Sequence, residues 1–199
     1  MAQKLPMVPP VYDDNYMKKR HNLAWRGPQI AQAINQLVCP YKIIDLGCSI
    51  GDIVNGFRLL GKDALGVDSS RAAFRNRVCV EHAFLLQDIT EPLYLWPSYR
   101  GCPEAYYGMD LVTCWEVMSV LVDSARFEVA KNILRLYPKW VFLGMHDSRE
   151  NIPAYNLIRS KYFTNHELTR KFKEALASDS RKLAIKAIYN STVVFEKGE

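Results

Sequence analysis

The chain has 199 residues, about half of them hydrophobic, which suffices for one ordinary globular core and is short for two. A formal net charge of +5, from 26 Lys and Arg against 21 Asp and Glu, permits an anionic partner without demanding one. Five cysteines (Cys39, Cys48, Cys79, Cys102 and Cys114), with no C-x-x-C pair and no neighbouring histidine pair, argue against a disulfide framework or a metal centre. No run approaches the roughly 18 apolar residues of a membrane span, and the stretch up to Pro10 lacks a signal-peptide core. A cytoplasmic protein with no membrane partner and no metal is the expectation.

Residues 1–27 carry three prolines in the first ten and then Tyr12, Tyr16, His21 and Trp25 among charges. Without sustained periodicity, this predicts an N-terminal arm with a short helix. Residues 28–199 form the domain proper. Pro28 suits a first helical turn, and Ile30, Ala33, Ile34 and Leu37 form one apolar stripe of a helix that packs on a sheet. Tyr41 to Leu46 reads as a strand covered on both faces, followed by a turn that Gly47 and Gly51 make possible. From Asp52 the apolar positions Ile53, Val54, Phe57 and Leu60 recur at helical spacing until Gly61.

Ala64 to Asp68 is the second strand, residues 69–80 a helix, and Ala83 to Gln87 the third strand. Residues 89–108 make a long connection rich in Pro, Tyr and Trp, of a length usually found in functional loops. A fourth strand follows Met109. Asp123-Ser124 can cap a helix with the stripe Phe127, Ala130, Ile133, Leu134 and Tyr137, and Pro138 stops it. Lys139 to Met145 is the fifth strand and runs into His146-Asp147-Ser148. A further helix starts at Thr164-Asn165-His166 and runs to about Ala177. Leu183 to Tyr189 and Thr192 to Glu196 then alternate around Asn190-Ser191 as a hairpin.

Strands alternating with helices imply parallel pairing with right-handed crossovers, and ligands in such sheets bind beyond the carboxyl ends of the strands. Asp45, Asp68, Asp88 and Cys114-Trp115-Glu116 all fall at strand ends, so they are predicted to meet along one rim. The ligand can be narrowed by charge. A dinucleotide fingerprint counted from Gly47 would need glycine at Ser49 and Asp52, and Asp52 would face a pyrophosphate with a carboxylate. No Gly-Lys-Ser/Thr follows, which excludes a P-loop. A cationic ligand with a nucleoside end and no phosphate fits, and S-adenosylmethionine is one.

Residues 43–52, Ile-Ile-Asp-Leu-Gly-Cys-Ser-Ile-Gly-Asp, resemble motif I of the class I S-adenosylmethionine-dependent methyltransferases. Gly66-Val67-Asp68-Ser69 resembles the second-strand end of that family, and Asp68 lies 23 residues after Asp45. Gln87-Asp88-Ile89 resembles the third-strand end, and residues 109–117 resemble the fourth strand with the segment lining the methionine end. The resemblance implies an α/β three-layer sandwich with a seven-stranded, mostly parallel sheet, helices on both faces and a C-terminal antiparallel hairpin. It implies S-adenosylmethionine as cofactor. Asp45, Gly47, Cys48, Ser49 and Gly51 would lie near its methionine end, Asp68 and Ser69 at the ribose, Asp88 and Ile89 at the adenine, and Cys114, Trp115 and Glu116 beside the sulfonium.

Arms such as residues 1–27 commonly fold over the cofactor in the resembled family as a lid, which makes Tyr16, Arg20 and His21 candidate substrate residues. His146, at the fifth strand end, is the candidate general base for a hydroxyl acceptor. Thr113-Cys114-Trp115 lacks the Pro-Cys of the cytosine-C5 enzymes, and the Asn/Asp-Pro-Pro-Tyr/Phe motif of amino-directed base methyltransferases is absent. The expected function is methyl transfer to an O, N or C atom of a small-molecule acceptor. Two alternatives stand beside it. One is the same fold acting on RNA or DNA, motivated by basic groups at Lys18-Lys19-Arg20, at Arg71, Arg75 and Arg77, and from Arg159 to Lys186. The other is a non-catalytic module that binds S-adenosylmethionine or S-adenosylhomocysteine.

Overall fold

The structure is a computed structural model that describes residues 12–93, 108–144, 153–177 and 192–198. Seven strands, β1 (Lys42–Leu46), β2 (Asp63–Asp68), β3 (Phe84–Leu86), β4 (Leu111–Trp115), β5 (Trp140–Gly144), β6 (Tyr162–Thr164) and β7 (Thr192–Lys197), form one sheet in the order β3-β2-β1-β4-β5-β7-β6. The first five pair in parallel. β7 runs antiparallel to both neighbours and so lies between β5 and β6. The register sets Asp45 opposite Gly66 on one side and Thr113 on the other.

Because side chains alternate along a strand, each strand feeds both faces. Ile43, Leu111, Phe142 and Val194 pack against α2 (Arg26–Val38), α3 (Asp52–Leu59) and α7 (His166–Ala177). Ile44, Val112, Val141 and Phe195 pack on the opposite side against α5 (Asp123–Arg135) and α6 (Pro153–Arg159). The result is the three-layer arrangement with a mixed sheet that the sequence predicts. No helix among the described residues is long and apolar enough to cross a membrane.

Several elements depart from the sequence reading for local reasons. The helix expected over 69–80 is the single short α4 (Arg71–Arg75), started by Ser70, whose Oγ accepts from Ala73 N at 3.1 Å. It ends because Asn76 turns its amide back to Ala72 O and Val78 N is drawn across to Ile50 O of the glycine loop. Asp123 does not cap α5. It is the first helical residue, its carboxylate is taken by Arg126 at 3.1 Å, and Val122 occupies the cap position without a side-chain bond. The antiparallel partner on the outer edge of β7 is β6, three residues too few to show an alternation. Residues 183–189, the expected first arm of the hairpin, lie outside the described residues, as do the aromatic stretch 94–107 and His146.

The arm contributes α1 (Asp14–His21), capped by Asp13, whose Oδ1 accepts from Tyr16 N at 2.8 Å. Asp14 ties it to α4 through Arg75 (2.8 Å) and Asn76 (2.7 Å). That attachment sets one face of α1 against the carboxyl ends of the strands.

Candidate functional site

The strand-to-helix turn after β1 is built by backbone hydrogen bonds. Gly47 N donates to Val67 O at 2.8 Å and Gly51 N to Cys48 O at 2.8 Å. Gly47 and Gly51 have φ of +73° and +75°, and a Cβ on Gly47 would lie 2.1 Å from Val117 Cγ2, so side chains are excluded there by conformation and by space. Ser49 shares the left-handed region at φ +51°, a strain on the order of 1 kcal/mol for a residue with a Cβ. What holds it is Asp68: Ser49 N donates to Asp68 Oδ2 at 2.9 Å, while Ser70 N donates to Asp68 Oδ1 at 2.8 Å. The carboxylate at the end of β2 is thus fixed in direction, and each oxygen keeps a lone pair free.

These elements enclose a cavity of about 500 Å³, within the range of about 300–1,000 Å³ usual for small-molecule sites. Of the residues expected at the cofactor, Gly47, Ser49, Asp68, Ser69, Asp88, Ile89, Trp115 and Glu116 line it. Asp45, Cys48, Gly51 and Cys114 do not reach its wall and are buried. Of the arm residues, Tyr16 and Arg20 line the cavity, whereas His21 is exposed and stands apart from it. Asp88 Oδ1 accepts from both Thr90 N and Thr90 Oγ1 at 2.8 Å, which leaves its other oxygen for a ligand. Trp115 is held as a rigid wall by its Nε1 bond to Thr192 Oγ1 (2.9 Å) and by stacking on Phe172 at 6.2 Å.

The sequence reading missed Tyr12, Met17, Ser70, Thr90 and, in the turn after β4, Ser119, Val120 and Leu121, all of which line the cavity, as does Val117 at the end of the segment expected at the methionine end. A signal existed for Tyr12 in its four-residue steps to Tyr16 and Arg20, although Tyr12 lies one residue before the cap Asp13 and outside α1 itself. Its ring packs edge-on against Tyr16 at 5.2 Å. Ser70 and Thr90 are polar residues of ordinary turns and carry no such pattern.

Charge is dense around this cavity. Burial pushes Asp45 up to about 8, against the lowering effect of its bond from Thr113 Oγ1 (2.7 Å), and Asp52 and Asp68 push it further in the same direction. Asp52 is likewise raised by burial, opposed by Arg20, Arg26 and the backbone amides that start α3. Asp68 is raised by burial and drawn back by the amides of Ser70 and Ser49. Burial also raises the thiols of Cys48 and Cys114, which keeps both protonated and unfit as nucleophiles. Glu116, at φ +62°, sits 3.9 Å from Arg20.

The Asp45 shift has a consequence for stability. An acid whose folded value lies above its unfolded one, about 3.9, stabilises the fold fully at low pH and loses that contribution as pH rises through the folded value. The melting temperature is therefore expected to fall between about pH 5 and about pH 8. In Asp45→Asn, which keeps an acceptor for Thr113, that fall becomes shallower. Thermal melts across this range check it, and equal slopes in the two proteins would remove Asp45 as the source.

No protein-family model matches the sequence, and no curated protein matches it. Solved structures do resemble the fold. A TehB-like SAM-dependent methyltransferase from Corynebacterium glutamicum superposes with a TM-score of 0.63 at 17% identity, covering 92% of this chain and 97% of that one. The plantazolicin methyltransferase BpumL, in complex with a monoazolic desmethylPZN analog and SAH, superposes with a TM-score of 0.53 at 12% identity, covering 92% and 86%. At such identities the likeness is one of fold.

Proposed function

We propose, from the class I S-adenosylmethionine-dependent methyltransferase fold that this chain carries, that it transfers a methyl group from S-adenosylmethionine to an O, N or C atom of a small molecule. The observation that carries the reading is Asp68, a carboxylate on the cavity wall with both oxygens pinned by backbone amides and a lone pair of each turned free. Two vicinal ribose hydroxyls are the partners that such a group suits. Asp88 and Ile89 would take the adenine, and the backbone from Gly47 to Ser49 would approach the methionine end without side-chain hindrance.

The balance of charge supports a sulfonium ligand. Three carboxylates, of Asp68, Asp88 and Glu116, line the cavity against one described cation, Arg20, and the buried Asp52 stands behind them. A ligand with a sulfonium, an ammonium and a carboxylate matches that set, with Arg20 opposite its carboxylate. When bound, S-adenosylmethionine supplies an electrophilic methyl group. The chain supplies position: Asp68 and the glycine loop orient the ligand, Trp115 forms a fixed wall, and α1 with Tyr16 and Met17 covers the cavity and excludes water. In an in-line displacement such placement carries much of the catalysis. His146 remains the candidate base where the acceptor is a hydroxyl.

A small acceptor is favoured over RNA or DNA by the state of the basic clusters. Arg75 is paired with Asp14 (2.8 Å), Arg77 with Glu81 (2.6 Å), Arg170 with Glu174 and Lys171 with Glu167 (both 2.7 Å). Cations already paired with neighbouring carboxylates make a weak phosphate-binding surface. Calorimetric titration of the purified chain with S-adenosylmethionine, S-adenosylhomocysteine and NAD tests the reading. Binding of both adenosyl ligands and none of NAD is expected, and binding of neither adenosyl ligand would overturn it.

A further inference from the structure

The cofactor placement proposed above gives no role to the cavity wall formed by Val120 and Leu121. The turn after β4, residues 117–122, spends its polar atoms internally. Ser119 Oγ donates to Glu116 O at 2.8 Å, Val120 N donates to Val117 O at 3.1 Å, and Arg126 Nη2 donates to Ser119 O at 3.4 Å. Arg126 is in turn paired with Asp123, and Met118 is 1% exposed, which anchors the turn from within. What it presents outward is aliphatic. Val117, Val120 and Leu121 line the cavity, and Val120 and Val122 are 48% and 69% exposed. Valine is a poor choice for an exposed turn that meets only water, and a set of them at a cavity mouth marks a surface for apolar contact.

Charge narrows the occupant from two directions. An anionic molecule entering here would face the carboxylates of Asp68, Asp88 and Glu116, and Arg20, the one described cation of the cavity, is already beside Glu116. A cationic molecule would have to approach a sulfonium. A neutral molecule meets neither repulsion.

We propose that the turn at residues 117–122 is the acceptor subsite and that it takes a neutral molecule with an apolar body, an inference that rests on the methyl-transfer reading above. The nucleophilic atom of such a molecule would point inward toward Glu116 while its apolar body lies on Val120 and Leu121.

Two probes with one ring system and different charge test this: 2-naphthol and 2-naphthoate, titrated by calorimetry into the chain with and without S-adenosylhomocysteine. Naphthol is expected to bind the loaded protein about tenfold more tightly than naphthoate, and Val120→Asp to weaken naphthol about tenfold by placing a charge on the apolar wall. The affinity for S-adenosylhomocysteine, measured in the same experiment, should stay within about threefold in that variant. Naphthoate binding as tightly as naphthol overturns the proposal, as does naphthol binding untouched by Val120→Asp. A lower melting temperature in Val120→Asp with unchanged naphthol affinity would mean that the valine packs on the chain itself, and also overturns it. Failure of S-adenosylhomocysteine to bind wild type is a separate result, which overturns the cofactor reading and the acceptor subsite that rests on it.

Discussion

Asp68→Asn is expected to lower the affinity for S-adenosylmethionine by about a hundredfold or more while the protein stays folded. The estimate follows from two hydrogen bonds to an ionised acceptor at about 1.5–3 kcal/mol each, of which the lesser sum, about 3 kcal/mol, is already a factor of about a hundred. Asparagine is the informative replacement. It retains an oxygen for one of the two amides that Asp68 now holds, those of Ser49 and Ser70, but turns an NH₂ toward a ribose hydroxyl. Asp68→Ala should lose binding altogether, with an added loss of stability, because Ser49 N would then lose the carboxylate that holds it in its left-handed conformation. Calorimetry on both variants, with thermal melts to separate folding from binding, checks the expectation. Affinity within about threefold of wild type in Asp68→Asn would mean that the ribose sits elsewhere.

The second large effect concerns the packing of α2 on α3. A Cβ on Gly27 would lie 2.0 Å from Asp52 O and 2.7 Å from Ile53 N, and a Cβ on Gly56 would lie 2.6 Å from Gly27 O. These neighbours are backbone atoms and cannot swing aside. In an ordinary helix interior Gly→Ala is worth about 1 kcal/mol in favour of alanine. Here the sign reverses, because alanine at residue 27 must push two helices apart, and overpacking of a well-filled interface costs about 1–3 kcal/mol or more. For a chain of this length that is a fall of roughly 2–4 °C in melting temperature per kcal/mol. Since Asp52 opens α3 at the glycine loop, Gly27→Ala should weaken cofactor binding as well as stability. A melting temperature equal to or above that of wild type would sink the idea.

Much of this architecture was legible because its physical signals are local. In the run Tyr41 to Leu46 the apolar residues Ile43, Ile44 and Leu46 fall on both faces, as in a strand between two helical layers, and Ile43 is buried on one side, Ile44 and Leu46 on the other. Asp45, Asp68, Asp88 and Glu116 could be placed at strand ends by counting, since parallel strands deliver their carboxyl ends to one edge. Counting could not say which of them face the ligand space. Asp45 lies opposite Gly66, two residues before Asp68 on the paired strand, yet Thr113 and burial withdraw Asp45 from the cavity, whereas two loop amides draw Asp68 to its wall. That difference is made by partners far away in the chain. The same holds for α4, cut short by Ile50 reaching across to Val78, and for β6, whose three residues become a strand only because β7 lies alongside.

The position of β7 also orders events in time. It is inserted between β5 and β6, and its contacts join residues as far apart as Trp140 and Glu196. Among the described residues β6 has no other neighbour in the sheet, so its pairing there waits on β7. Until then β5 presents an unpaired edge of buried-type residues, Val141, Phe142 and Leu143, to whatever strand is nearby. Such distant pairing closes a long loop and is slow, so the step that completes this sheet is also the interval in which the chain is most open to intermolecular association.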